Sequence, residues 1–156
     1  MAKEVIGQAK VGVGIERLWK ALAKDLRFVI PKAIPSLVKQ VEVVEGDGGL
    51  GTVFLFSFGS DVTTMTYQKE KIVELDESLH QMGLQVIEGG HLDLGFSSYT
   101  TTFQLTTADY EEQKTLINFK VSYESEIEES AMPSKTTASI LAFISRLESY
   151  LLNGSF

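Results

Sequence analysis

Gln68 and Glu70 are the pair whose types and spacing suggest chemistry most directly. They stand two apart in Thr66-Tyr67-Gln68-Lys69-Glu70-Lys71-Ile72, a segment that alternates as a β-strand does. On that reading Gln68 and Glu70 share a face with Thr66 and Ile72, and Tyr67, Lys69 and Lys71 share the other. The face with two lysines is the wetter one, which turns Gln68 and Glu70 inward. The bland alternative leaves both on an exposed strand. An inward, unpaired carboxylate is costly, so Glu70 then requires a partner or a raised pKa. Small-molecule sites have this make-up, a mostly apolar wall with a few placed polar groups.

The apolar wall is also readable. Phe54, Phe56 and Phe58 alternate along one strand, and Tyr99 and Phe103 share a face of another. Ile140, Phe143 and Leu147 lie on one stripe of a C-terminal helix, and Leu22 and Leu26 come from an N-terminal helical region. Each of these could equally be plain core.

Other reactive types are sparse. Cysteine is absent and only two histidines occur, His80 and His91. That gives no metal-ligand spacing and no paired acid–base constellation, and both histidines read as surface residues near strand ends. Gly46 to Gly51 satisfies G-x-G-x-x-G, but the run Thr52 to Phe58 that follows is aromatic and β-branched. A phosphate cradle needs a helix N-terminus there, so a glycine hairpin is the better account. The formal net charge of −7 argues against nucleic acid as a partner. The acidic run Glu124 to Glu129 reads as a solvated turn. With no disulfide framework, no apolar leader in Met1 to Lys10 and no membrane-length apolar run, the expected location is cytoplasmic. Asn153-Gly154-Ser155 is then a chance sequon.

The elements that must position these residues form one expected domain, 1–156. A strand is predicted over Glu4 to Val13, a helix over Ile15 to Asp25, and a second short helix over Arg27 to Ile34, limited by Pro31 and Pro35. Strands are predicted at Val41 to Glu45, Thr52 to Phe58, Met65 to Leu75, Leu79 to Ile87, Ser97 to Leu105 and Thr115 to Tyr123, with turn residues such as Ala108-Asp109 between them. From Pro133 an amphipathic helix carries Ile140, Phe143, Ile144, Leu147 and Leu151 and ends near Asn153-Gly154. The fold class is α+β: a seven-stranded antiparallel curved sheet wrapped around a long C-terminal helix.

The order of these elements, with Glu45-Gly46-Asp47-Gly48-Gly49-Leu50-Gly51-Thr52, resembles the plant pathogenesis-related class-ten family typified by the birch-pollen allergen. The stretches Ile30 to Pro35, Gly83 to Gly90, Tyr99 to Phe103, Pro133 to Thr136 and Leu151 to Gly154 look closer to its cytokinin-specific, or phytohormone-binding, branch. The resemblance implies a helix-grip fold with a hollow for a small hormone, a cytokinin such as zeatin or a gibberellin. In that branch a glutamine and a glutamate matching Gln68 and Glu70 read the polar edge of adenine. The implied ligand-binding set is Gln68, Glu70, Leu22, Leu26, Phe56, Tyr99, Phe103, Ile140 and Phe143. The chain departs from the branch at Phe143, which stands for a tyrosine, and at Ile140, which stands for a threonine.

A sister branch, norcoclaurine synthase, uses a tyrosine, a glutamate and a lysine in its cavity. Tyr99 matches the tyrosine, but Thr101 stands for the glutamate, and the lysine falls on Asn118 or, with a gap, Lys120. The gate turn of the abscisic-acid receptors has no counterpart at Phe58-Gly59-Ser60-Asp61. The expectation is therefore a cytoplasmic monomer that stores, transports or buffers a hormone, without cofactor, metal, nucleic acid or membrane, and not an enzyme. The alternatives are a cavity enzyme of the norcoclaurine-synthase type and a ribonuclease-like defence protein.

Overall fold

A computed structural model describes residues 3–108, 113–126 and 132–153, with the side chains of residues 132 and 133 left aside. The Ala108-Asp109 turn, the Glu124 to Glu129 run, the Gly154 cap and the Asn153 to Ser155 sequon lie wholly or partly outside these residues.

Period-two alternation becomes seven strands: β1 Lys3–Val11, β2 Val38–Glu45, β3 Val53–Phe58, β4 Tyr67–Asp76, β5 Gln81–Gly89, β6 Phe96–Thr107 and β7 Thr115–Ser125. All pair antiparallel in one sheet, in the order β1-β7-β6-β5-β4-β3-β2. β2 to β7 run as a meander, and β1 returns beside β7 to pair along its whole length, Lys3 opposite Tyr123 and Val11 opposite Thr115. The inward residues of β7, Ile117, Phe119 and Val121, are all buried. Asn118 and Lys120, between them, face outward, as the pleat requires.

Between β1 and β2 lie α1 Ile15–Trp19 and α2 Leu26–Ala33. The single helix expected over Ile15 to Asp25 stops short. A wider turn, Lys20–Lys24, is closed by the Asp25 N–H donating to the Lys20 carbonyl at 2.9 Å. Spreading five residues over one turn lets three consecutive residues, Ala21, Leu22 and Ala23, all be buried. Pro31 does not limit α2 but sits inside it. Only two helical residues follow, so the missing N–H removes one backbone bond near an end.

The glycine loop makes the expected hairpin between β2 and β3. Gly46, Gly48 and Gly51 have φ of 98°, 102° and 88°, a region that suits glycine. Its N–H groups are turned onto the protein itself: Gly48 donates to Thr52 Oγ1 at 2.9 Å, and Gly51 to the Ile72 carbonyl at 2.9 Å. No helix follows, so the loop lacks both features of a phosphate cradle.

The final helix, α3 Met132–Asn153, lies against the concave face. Thr136, Ile144, Leu147 and Leu151 are buried along one stripe. Its C-terminal end is fastened to the start of the chain. The Arg17 guanidinium donates to the Leu151 carbonyl, and the Gly12 N–H donates to a Glu148 carboxylate oxygen at 2.7 Å. A cation at that end also suits the helix dipole. Beneath it the core is solid, with Leu18, Ile72, Met82, Leu105, Ile117, Phe119 and Leu147 almost wholly buried. No described helix is long and apolar enough to cross a membrane.

Candidate functional site

Under the N-terminal half of α3 the same concave face holds a cavity of about 220 Å³. All nine sequence-selected residues line it. Leu22 comes from the wide turn and Leu26 from α2. Phe56 lies on β3, Gln68 and Glu70 on β4, Tyr99 and Phe103 on β6, and Ile140 and Phe143 on α3. Further lining comes from residues that sequence reasoning did not select, including Ile30, Met82, Leu84, His91, Thr101 and Ser139.

Most of the wall is hydrocarbon, and the polar groups gather at one end. Gln68 is buried and Glu70 half-buried, with Tyr67 and Lys71 exposed on the opposite face of β4. The inward reading of this strand is the one observed. A register shift against β5 falls between Lys69 and Glu70, opposite Glu88 and Val86. Ile87 is the extra residue there, and such a bulge re-aims neighbouring side chains.

Gln68 is held at both ends of its amide. Its Nε2 donates to a Glu70 carboxylate oxygen at 3.1 Å. Its Oε1 accepts the His91 backbone N–H at 3.0 Å and lies 2.7 Å from His91 Nδ1. The His91 ring stacks on Tyr99 with centroids 3.9 Å apart, and Phe96 packs edge-on against both. His91 is therefore no surface residue. It is the second residue of the short turn Gly90–Leu94 after β5, and the positive φ of Gly89 and Gly90 folds that turn inward. At Gly90 an added Cβ would come 2.0 Å from Gln68 Oε1, so the close approach demands glycine. The other histidine, His80, is also half-buried, edge-on to Trp19 with Nε2 3.0 Å from Glu16.

Burial sets the acidities. Removal from water pushes Glu70 up from its ordinary 4.5 to about 7, against the hydrogen bond from Gln68, which lowers it. Burial pushes His91 down to about 4. It pushes Tyr99 up to about 12, opposed by a hydrogen bond with Thr136. Near neutral pH the site thus holds a neutral imidazole, a neutral phenol and a carboxyl divided between its two forms. A carboxyl of that acidity both gives and takes a proton readily, which is what general acid–base catalysis needs. Thr101 lines the cavity, but Asn118 and Lys120 are on the far side of β7. Asn118 accepts a hydrogen bond from Gln8 there, and Lys120 is exposed. No lysine reaches the hollow from that strand. Among the described residues no cluster of three His, Asp or Glu side chains could hold a metal ion.

Known proteins agree with this architecture. Norbelladine synthase from Narcissus pseudonarcissus is 31% identical over 131 residues, which span 83% of this chain and 79% of that protein. The carrot (Daucus carota subsp. sativus) allergen Dau c 1.0401 is 37% identical over 84 residues, about half of either chain. Among solved structures, truncated norcoclaurine synthase from Thalictrum flavum superposes with a TM-score of 0.82 at 23% identity, covering 99% of this chain and 96% of that one. Ara h 8.0201 superposes with a TM-score of 0.83 at 22% identity, over 99% of this chain and all of that one. The expectation that the chain is not an enzyme is overturned by the first of these, since a named synthase matches it over most of its length. These likenesses do not reach the cytokinin-specific branch. Residues 3–154 match the pathogenesis-related protein Bet v 1 family, and the chain belongs to that family.

Proposed function

We propose that this protein is a cavity enzyme that performs acid–base chemistry on small, largely aromatic molecules, with Glu70 as the group that carries the proton. The observation behind this reading is Glu70 itself, a carboxyl with an acidity of about 7, hydrogen-bonded to Gln68 at one end of an apolar hollow. Tyr99 and His91 frame the reacting group, and Phe56, Phe103, Ile140 and Phe143 hold the hydrocarbon body of the substrate. The volume of about 220 Å³ lies below the roughly 300–1,000 Å³ of drug-sized sites, which favours substrates of one or two small rings. Two likenesses support the class of reaction. One is the similarity to norbelladine synthase. The other is a norcoclaurine synthase of the same fold that was solved with dopamine and hydroxybenzaldehyde. In this chain the proton-carrying group sits on β4, and no lysine enters from β7.

That pair of compounds is the first assay. Aldehyde consumption in the presence of dopamine is followed for the wild type and for Glu70→Gln. Loss of a proton-transfer group costs about 10²–10⁴-fold in rate, so Glu70→Gln falls by about a hundredfold or more. An unchanged rate removes Glu70 from the mechanism.

A second reading, storage of a cytokinin in the cytoplasm, is favoured by one detail. Both of Gln68's present acceptor contacts use Oε1, which leaves one Nε2 hydrogen beside the Glu70 carboxyl. This donor and acceptor together match neighbouring atoms of an adenine edge. A protein that turns over neither compound yet binds zeatin more tightly than free adenine would be that carrier.

A further inference from the structure

The sheet has two edges, β1 and β2, and they are built differently. β2 carries two register shifts against β3, at Val38 to Gln40 and at Val43 to Glu45, and such irregularities turn an edge away from further pairing. β1 has none: its nine residues pair one for one with β7. No described strand takes its other side. A regular edge of this kind presents backbone N–H and carbonyl groups outward, a template for one more strand.

The surface beside that edge is neutral and mostly small. Ile6 points away from the concave face and is 72% exposed. A groove of about 530 Å³ runs between β1 and α3, with Val5 and Ile6 on one side and Ser134, Ala138 and Leu141 on the other. The outer stripe of α3 continues through Ala142, Ser145 and Leu152, all exposed and at helical spacing. None of these side chains carries a charge, in a chain of net charge −7.

The edge also complements its own reverse. Glu4, Ile6, Gln8 and Lys10 are exposed and alternate with Val5, Gly7, Ala9 and Val11, which face the concave side. Two antiparallel copies keep their helices on one side of a joined sheet only when like-facing residues stand opposite each other. With a two-fold axis at Gly7, Glu4 stands opposite the second copy's Lys10 and Ile6 opposite its Gln8, each of these twice. Moving the axis to Ile6 or to Gln8 loses both charge pairs and leaves Glu4 opposite Gln8 or Gly12. On the concave side Val5 meets Ala9 and glycine stands at the axis, so small side chains lie where the two helices approach.

We propose that two copies of this chain pair through β1, antiparallel about a two-fold axis at Gly7, with their α3 outer stripes side by side. Such an interface is self-complementary, as two-fold symmetry demands. It replaces the monomer expected from the sequence. The four outward positions of β1 and the outer stripe of α3 include no residue that lines the cavity, so the pairing stands or falls apart from the acid–base reading.

Sedimentation of the wild type from about 1 μM to about 1 mM tests the assembly, and exposed substitutions test its register. The mass should rise from one copy to two across that range. Glu4→Lys sets like charges opposite each other at two points and should weaken the dimer by about tenfold or more. Lys10→Glu should do the same, and the double exchange Glu4→Lys with Lys10→Glu should restore the wild-type affinity. The chain has no cysteine of its own, which permits a second measurement. Opposite residues of antiparallel strands lie within disulfide reach, whereas diagonal neighbours are about 7–8 Å apart. Under oxidation, a mixture of Ile6→Cys and Gln8→Cys should therefore cross-link, and either variant alone should not. A single copy at every concentration overturns the proposal and leaves the edge to an extended segment of another protein. A dimer indifferent to Glu4→Lys, or one in which either cysteine variant cross-links alone as readily as the mixture, overturns it by placing the contact elsewhere.

Discussion

The two halves of α3 cover different interiors. Under its C-terminal half Leu147 is 1% exposed and Ile144 3%, packed with Trp19, Leu105 and Ile117 in one core. The helix end is tied to Gly12 and Arg17. The same end is closed outside by Glu77, which accepts the Trp19 indole N–H at 2.7 Å and pairs with Lys24 at 2.8 Å. Under the N-terminal half, Ile140 and Phe143 look onto the hollow, and Ser139 at its rim is exposed. One amphipathic stripe thus serves two purposes: the tight half holds the fold so that the loose half can leave space. A cavity costs packing contacts, and the solid end supplies the stability that the hollow end forgoes.

The largest expected effect separates the halves by stability. Leu147→Ala should cost about 2–5 kcal/mol, the usual range for a fully packed aliphatic side chain. Phe143→Ala faces existing space and should cost about half of that or less. Urea unfolding of both variants checks the pair, and equal losses would mean that the hollow is packed in solution.

Next in size is the charge buried at the hollow end. Glu70 has a folded-state acidity of about 7 against an ordinary 4.5, so the folded state binds the proton more tightly than the unfolded chain does. Its burial therefore costs nothing below about pH 4.5 and reaches its full cost above about 7. Glu70→Gln removes that cost. Relative to the wild type, it should gain on the order of 2 kcal/mol more stability at pH 8 than at pH 5. Denaturation at the two pH values measures it, and a pH-independent difference would place Glu70 in contact with water.

The smallest expected effect concerns the turn that brings His91 inward. Gly90→Ala forces a side chain into φ +49° at a cost of roughly 1–2 kcal/mol, and its Cβ displaces Gln68 Oε1. The telling readout is the Glu70 titration followed by carboxyl-carbon NMR, which should move upward as the Gln68 hydrogen bond loosens. An unmoved titration would show that Gln68 keeps its place by other contacts.

The sequence disclosed the features whose physics is local. Alternation over Thr66 to Ile72 was enough to turn Glu70 inward, because one lysine-rich face decides both. The helix stripe from Ile140 to Leu151 and the glycine hairpin were legible for the same reason. His91 was not legible. Its place in the cavity depends on two consecutive glycines at positive φ and on a Gln68 carbonyl 23 residues away. The paired glycines Gly89-Gly90 were the available signal, since they mark a chain reversal that extended pairing would not need. The wide turn at Lys20–Lys24 was hidden as well, because burial of three consecutive residues follows from what packs around them.

The curved sheet has one further consequence. Inward positions on β3, β4 and β6, together with the turn after β5, all open onto the same few ångströms of space. A reactive group placed on any of these walls reaches the same guest. Chemistry can then move from strand to strand over evolutionary time while the backbone stays put, much as a tool can be rehung on another wall of one small room. In this chain the carboxyl of that space stands on β4, while Thr101 faces it from β6 and Lys120 of β7 turns outward.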